Sequence, residues 1–199
     1  MQPNFTMNFE LTEEHLMIRD SARSFAQNEL LPGVIERDNE QKFPTDGVKK
    51  MAELGFLGMM TSPKYLGGGM DTVSYVLAME EISKYDASSA VIMSVNNSLV
   101  CWGIEKYGTE DQKMKYLTRL ASGEVIGAFC LSEPEAGSDA TSQKTTALDM
   151  GDHYLLNGTK NWITNGSSAS IYLVIAQTDV SKEMCIPISK GLKHLKSVI

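Results

Sequence analysis

The chain changes character abruptly near residue 123, and this change limits the folds that it can adopt. Before it, apolar residues recur with helical spacing; after it, short apolar runs alternate with turn sequences. Helices that precede strands in this way are typical of an α+β protein and not of an alternating α/β sheet. We predict an N-terminal all-α domain over residues 1–122, an incomplete antiparallel β-domain over 123–181 and an atypical tail over 182–199.

Capping residues, prolines and glycines mark the ends of the predicted helices. Thr12 is the clearest N-cap, and Thr109 with Gln112 forms a capping box. The helices that such signals predict cover 12–31, 45–55, 71–84 and 109–122. The apolar stretch 87–104 carries few charges, so it should form an interior helix. Small and polar residues interrupt it, and it falls short of a membrane span.

Strand signals dominate the rest of the chain. The apolar runs that predict buried strands are 125–131, 145–148 and 171–177. Asn157-Gly158 is a strong hairpin signal between 154–156 and 160–164. Alternation along the second hairpin strand would place Trp162 and Thr164 on one face, where a ring and a hydroxyl can hold a planar cofactor. Taken alone, the pattern is more typical of a core tryptophan beside a hydrogen-bonded threonine.

Composition excludes several classes of protein. The chain of 199 residues carries a net charge of -7, which offers nucleic acid no general attraction. Its three cysteines are far apart and form no CxxC pair, and its three histidines are scattered, so neither a disulfide framework nor a metal site is predicted. No signal peptide is evident. We therefore expect a cytoplasmic protein with no nucleic-acid or membrane partner.

The most informative segment is the end of the first predicted strand and the polar loop that follows it. Ser132 ends the strand, Pro134 stiffens the turn, and Gly137 permits close approach of a ligand. Backbone N–H groups followed by hydroxyls suit a flat polar heterocycle or a phosphate. A decorated β-turn with no ligand is the simpler interpretation of this segment by itself.

Taken together, the two segments closely resemble the signatures of the acyl-CoA dehydrogenase family. The first signature is matched by Ser132, Glu133, Pro134, Ala136, Gly137, Ser138 and Asp139, and the second by Trp162, Ile163 and Thr164. The resemblance covers roughly residues 7–181 and is closest to the short-chain, butyryl-CoA type of enzyme. It implies an all-α domain and a β-domain like those of the family, whose C-terminal helical bundle is missing here.

The resemblance also implies a cofactor, FAD. The Ser132 hydroxyl would lie near the polar edge of the isoalloxazine ring, Trp162 would pack on the flavin, and Thr164 would donate towards its N5 side. The cofactor-binding residues implied in this way are Phe129, Cys130, Leu131, Ser132, Glu133, Pro134, Glu135, Ala136, Gly137, Ser138, Trp162, Ile163 and Thr164.

For the substrate, the resemblance implies an acyl-CoA. Ser138 would also contact it near its phosphopantetheine, and Ser94 and Ser98 would lie near the acyl pocket. The implied reaction is α,β-dehydrogenation, in which a carboxylate removes the α-proton and a hydride leaves the β-carbon. The family's usual electron acceptor is an electron-transfer flavoprotein, and its usual assembly is a homotetramer.

The catalytic base of the family is a glutamate of the C-terminal domain, so no catalytic residue is expected in this chain. Glu133 and Glu135 belong to the loop signature and are poor candidates for the base. The tail departs from the family pattern, and a frameshift or premature stop near residue 182 would explain it. A non-catalytic FAD- or acyl-CoA-binding fragment and an acyl-CoA oxidase are the alternatives.

Overall fold

The computed structural model describes residues 9–178, which fold as a helical part followed by two small pairs of strands. The helices are α1 (Glu13–Phe25), α2 (Val34–Asn39), α3 (Thr45–Glu53), α4 (Thr72–Ser83), α5 (Ala87–Ser94), α6 (Trp102–Tyr107), α7 (Glu110–Gln112) and α8 (Thr118–Ala121). The α+β arrangement is confirmed. The tail predicted over 182–199 lies outside the described residues.

The predicted helix ends coincide with local capping interactions. The Thr12 side chain accepts a hydrogen bond from the His15 N–H at 3.2 Å, and Thr109 accepts one from the Gln112 N–H at 3.3 Å. In both cases the side chain at the third helical position bonds back, which completes a capping box. Wider π-helical turns, which the sequence did not indicate, extend or join the helices at Ala26–Leu30, Val95–Cys101 and Lys113–Leu117.

The helix Ala87–Tyr107, formed by α5, a π-helical segment and α6, is shared by two hydrophobic clusters. Ala90, Ile92 and Met93 pack with α1, α3 and α4, whereas Val100 and Ile104 pack with the end of the helical part. Within residues 9–178 it is the one helix long and apolar enough to cross a membrane. More than half of its most apolar window (56%) is buried inside the protein, as expected of a core helix.

The strands form one parallel and one antiparallel pair. β1 (Gly127–Cys130) pairs in parallel with β4 (Ile171–Val174), and β2 (Thr146–Asp149) pairs antiparallel with β3 (Tyr154–Asn157). The prediction of antiparallel strands therefore holds for the second pair alone. The connection from β1 to β4 is long enough to contain the β2–β3 hairpin, and a long connection is what allows β4 to return parallel to β1.

The hairpin predicted at Asn157-Gly158 is wrong. β3 ends at Asn157 and pairs with β2, the strand that precedes it in the chain, so the turn of the hairpin lies at 150–153. Gly158 adopts a φ of +152° and packs closely against Thr145. Residues 160–164 form no strand, and Trp162 has a φ of +60°, so the predicted alternation of Trp162 and Thr164 on one strand face is also wrong.

Candidate functional site

The loop after β1 is a tight, self-bonded turn. The Glu133 N–H donates to the Ala136 carbonyl at 3.0 Å, and the Ala136 N–H donates to the Glu133 carbonyl at 3.2 Å, with Pro134 and Glu135 at the corner. Further on, the Asp139 carboxylate accepts hydrogen bonds from the hydroxyls of Thr141 and Ser142. The signature sequence thus folds into a fixed turn, with Gly137 and Ser138 on its exposed side.

The carboxylate of Glu133 points inwards and holds this turn to the rest of the β-part. It accepts hydrogen bonds from the Lys144 N–H at 2.6 Å, the Thr145 N–H at 3.0 Å and the Lys160 ammonium at 2.8 Å. Burial by itself would raise the pKa of the Glu133 carboxyl, but these hydrogen bonds outweigh it and lower the pKa to about 2. Glu133 is therefore a charged, fully engaged structural group.

Lys160 links the two signature segments. Its ammonium donates to the Leu131 carbonyl and to the Gln143 side-chain oxygen, each at 2.9 Å, besides its bond to Glu133. Both partners of the ion pair are buried, with side-chain exposures of 11% for Lys160 and 6% for Glu133. Three acceptors match the three N–H donors of an ammonium group, so the buried charge is fully satisfied.

The segment after Lys160 lies along the edge of β1 that β4 does not cover. The Asn161 N–H donates to the Ser132 carbonyl at 2.9 Å, and the Asn165 amide donates to the Gly127 carbonyl at 2.9 Å. Successive residues of a strand direct their backbone groups to opposite edges. The Cys130 carbonyl faces β4, where it accepts from the Ile175 N–H at 3.1 Å, so the carbonyls of Gly127 and Leu131, which accept from Asn165 and Lys160, face this other edge. Ser132 lies beyond the end of β1, where the alternation no longer applies.

Between these two anchors lies a short stretch of open strand edge. By the same alternation, the N–H and C=O of Phe129 face it, and no side chain of residues 9–178 hydrogen-bonds to them. Nor do the hydroxyls of Ser132 and Thr164 bond to another group in the part of the chain that the structure describes. Adjacent backbone donors and acceptors, with free hydroxyls nearby, suit the amide-like edge of a planar heterocycle.

Trp162 stands beside this edge in an unusual conformation. The residue is 93% exposed, and its φ of +60° is left-handed, which costs a bulky residue about 1 kcal/mol. An exposed tryptophan held in a strained conformation contributes little to the core, so the surroundings must enforce its position. The flanking anchors at Asn161 and Asn165 provide that constraint, and they leave the ring free to pack on a ligand.

The structure joins most, but not all, of the predicted site residues. The loop 129–138 and the segment 162–164 are neighbours. Ser94 and Ser98 lie half-buried in the long helix, where the Tyr75 hydroxyl donates to Ser94 at 3.2 Å and Ser98 donates to the Ser94 carbonyl at 2.7 Å. Among residues 9–178, neither serine hydrogen-bonds to the loop or to the tryptophan segment.

Sequence reasoning missed the polar residues that support the site. Residue type does not distinguish Lys160, Gln143 and Asn165, because such side chains are usually exposed. The one usable signal is their position, since each lies inside or next to a signature segment.

Within residues 9–178, no group of three or more His, Cys, Asp or Glu side chains could hold a metal ion.

The helical part, the fixed loop and the exposed tryptophan together define a protein class. The model of the acyl-CoA dehydrogenase N-terminal domain matches residues 12–124, and that of the middle domain matches residues 128–193. The chain therefore belongs to the acyl-CoA dehydrogenase family.

Individual relatives agree with this assignment. The short-chain specific acyl-CoA dehydrogenase of Clostridium acetobutylicum is 46% identical over 88% of this chain and 46% of its own length. A chain in the structure "Electron transferring flavoprotein of Acidaminococcus fermentans: Towards a mechanism of flavin-based electron bifurcation" is 47% identical, with a TM-score of 0.86, over 89% of this chain and 47% of its own.

A third relative has its cofactor in place. The glutaryl-CoA dehydrogenase of Mycobacterium smegmatis in complex with FADH2 is 38% identical, with a TM-score of 0.81, over 85% of this chain and 44% of its own. The chain thus spans about half the length of the relatives that it matches.

Proposed function

We propose that the chain is the flavin-binding portion of an FAD-dependent acyl-CoA dehydrogenase that acts on short-chain acyl-CoA. The observation that carries the proposal is the meeting of the two signature segments at the open edge of β1, joined by Lys160 and Asn161. The short-chain preference rests on the identity with a short-chain specific relative. The relatives bear the names of dehydrogenases, so they lend no support to a non-catalytic binding fragment.

The residues of the open edge fit the flavin ring. The backbone groups of Phe129 would bond to its polar edge, the Ser132 and Thr164 hydroxyls would donate to it, and Trp162 would cover one face and exclude water. When bound, FAD accepts the hydride that leaves the β-carbon of the substrate. The rest of the signature loop, from Cys130 to Ser138, would line the cofactor, and Ser138 would also contact the CoA portion.

The chain's own carboxylates in the loop are unsuited to act as the base. Glu133 is fully engaged by its three donors, and Glu135 forms an exposed ion pair with Lys144. A free carboxylate close to the substrate is needed for proton removal. We assign that role to a glutamate outside residues 9–178, which leaves this chain to bind and orient.

The wider setting follows from the family resemblance. We propose an electron-transfer flavoprotein as the electron acceptor, a view supported by the relative found in a structure of such a protein. We also propose a cytoplasmic protein that assembles as a homotetramer in its full-length form. The division into a helical domain over 1–122 and a β-domain over 123–181 completes the proposal.

The test is retention of flavin by the purified chain. We expect the chain, mixed with excess FAD and desalted, to keep a visible flavin absorption band. Trp162→Ala should weaken FAD binding about tenfold, since loss of aromatic packing is worth about 1.4 kcal/mol. Trp102→Ala is the matched control, because it removes the other tryptophan, which is about half exposed in α6, and should leave FAD binding unchanged.

Two results would contradict the proposal. A folded, soluble chain that keeps no flavin would show that the open edge does not bind the cofactor. Equal effects of the two tryptophan substitutions would show that Trp162 has no special part in binding.

A further inference from the structure

Lys160 occupies an unusual place for a lysine. Its side chain is largely shielded from solvent, and its three acceptors come from two stretches of the chain: the Leu131 carbonyl and the Glu133 carboxylate of the loop, and the Gln143 side chain beyond it. Burying an ion pair gives little net stability over a well-packed apolar pair. A role in fixing geometry accounts better for its presence than stability does.

The geometry that Lys160 fixes is the distance between the two signature segments. Its ammonium donates to Leu131 and Glu133 of the loop. The next residue, Asn161, donates its N–H to the Ser132 carbonyl at 2.9 Å. Trp162 follows at once in its left-handed conformation. A strained residue keeps its conformation only where its neighbours hold it firmly. On the N-terminal side of Trp162, the Lys160 side chain and the Asn161 N–H provide that restraint.

We infer that Lys160 is a positioning residue for the cofactor: through Leu131 and Glu133 it sets the loop 131–138 against the segment 161–165, and so presents the ring of Trp162 beside the open edge of β1. The inference rests on the proposed function for the identity of the ligand, a flavin. It concerns a residue that does not itself touch the ligand and acts by preorganisation.

A neighbouring ion pair supplies a matched control. Lys144 pairs with Glu135, the glutamate two residues beyond Glu133, but both of these side chains are exposed (75% and 70%). Lys144→Met therefore removes a lysine from a glutamate of the same loop without opening the buried contact. Lys160→Met removes the buried ammonium and keeps most of the side-chain volume.

The first measurement is hydrogen exchange of the chain without FAD. In Lys160→Met the amides of 131–138 and 160–166 should exchange at least about tenfold faster, whereas those of the helix Ala87–Tyr107 keep their protection. In a Trp102→Phe background, the fluorescence anisotropy of Trp162 should fall in Lys160→Met. Lys144→Met should change neither quantity. Unchanged exchange and anisotropy in Lys160→Met would overturn the inference.

The second measurement separates positioning from charge compensation. Lys160→Met leaves the Glu133 carboxylate buried without its cation, and this alone destabilises the fold. The double variant Lys160→Met/Glu133→Gln removes both charges and should regain thermal stability, yet exchange in the two segments should stay fast and FAD binding should stay about tenfold weaker. If the double variant recovers FAD affinity together with stability, Lys160 only neutralises a charge and the inference fails.

These arms keep the inference distinct from the proposed function. A wild-type chain that binds no FAD refutes the proposed function, while exchange and anisotropy still decide whether Lys160 positions Trp162. A wild-type chain that binds FAD, with Lys160→Met binding equally well, refutes the positioning role alone.

Discussion

At the scale of single residues, the site depends on polar groups buried against expectation. Glu133 lies in a loop that reads as an exposed turn, yet its carboxylate accepts hydrogen bonds from two backbone N–H groups and from Lys160. Such an anion stays charged because its donors outweigh the cost of burial. The carboxylate of the signature glutamate thus fixes the shape of the loop.

Glu133 should make stability depend on pH. Its pKa in the folded chain is lowered from 4.5 to about 2, so the folded state binds fewer protons than the unfolded state between these values. Its contribution is fully present above about pH 5 and is lost as the pH falls towards 2. Glu133→Gln should therefore lower the free energy of unfolding by about 3 kcal/mol at pH 7, and by much less near pH 3.

Urea unfolding of both chains at the two pH values measures this difference. Glu135→Gln is the control, since its exposed ion pair is screened by solvent and should leave stability nearly unchanged at either pH. A deficit in Glu133→Gln that is the same at pH 7 and pH 3 would show that the carboxylate charge is not the stabilising feature.

At the scale of elements, the long helix joins the helical part to β1 through one buried amide. The Asn96 side chain donates to the Leu57 carbonyl at 2.8 Å and to the Leu120 carbonyl at 3.2 Å, and its oxygen accepts from the Gly127 N–H at 2.9 Å. It lies in the π-helical segment Val95–Cys101. One residue therefore sets the first strand against two separate turns of the helical part.

Asn96→Ala should lower the free energy of unfolding by about 3 kcal/mol, because it leaves three buried backbone groups without a partner. Denaturant unfolding followed by circular dichroism measures the loss. Asn28→Ala, which removes an exposed amide that donates to the Ser24 hydroxyl, should cost less than about 0.5 kcal/mol. Similar losses of unfolding free energy in the two variants would show that the hydrogen bonds of Asn96 do not stabilise the fold more than an exposed one does.

The elements also show how far the sequence predicts this fold. Helix ends were predicted well, because caps such as those of Thr12 and Thr109 depend on residues three positions away. The turn at Asn157-Gly158 was mispredicted because the partner of β3 is β2, and pairing between strands is decided by the whole chain.

The sequence predicts the two signature segments of the candidate site, but it does not predict the buried polar residues that hold them in place. The meeting of loop and tryptophan segment could be inferred from the family resemblance. The left-handed conformation of Trp162 and the burial of Lys160 arise from tertiary contacts, which residue type and spacing do not report. A lysine beside an Asn-Gly pair has the pattern of an exposed residue.

At the scale of the whole molecule, the described parts should unfold as one unit. β1 packs on the long helix, and Gly127 comes so close to Val100 that an added Cβ would lie 2.6 Å from its side chain. A contact of this kind couples the strands to both hydrophobic clusters.

Native-state hydrogen exchange in increasing urea tests this coupling. The amides of Gly127–Cys130 and of Val95–Cys101 should converge on the same opening free energy, as expected for a single cooperative transition. In Asn96→Ala the strand amides should open at a lower free energy than the helix amides. Separate opening free energies in the unaltered chain would show that helical part and strands unfold independently.

The parallel pairing of β1 with β4 has a consequence for synthesis on the ribosome. All the helices that β1 packs against precede it in the chain, so they can fold while later residues are still being added. β1 itself must wait until residues 171–174 have left the exit tunnel before it gains its partner. During that interval the edge that β4 will cover is bare, and it exposes the nascent chain to aggregation.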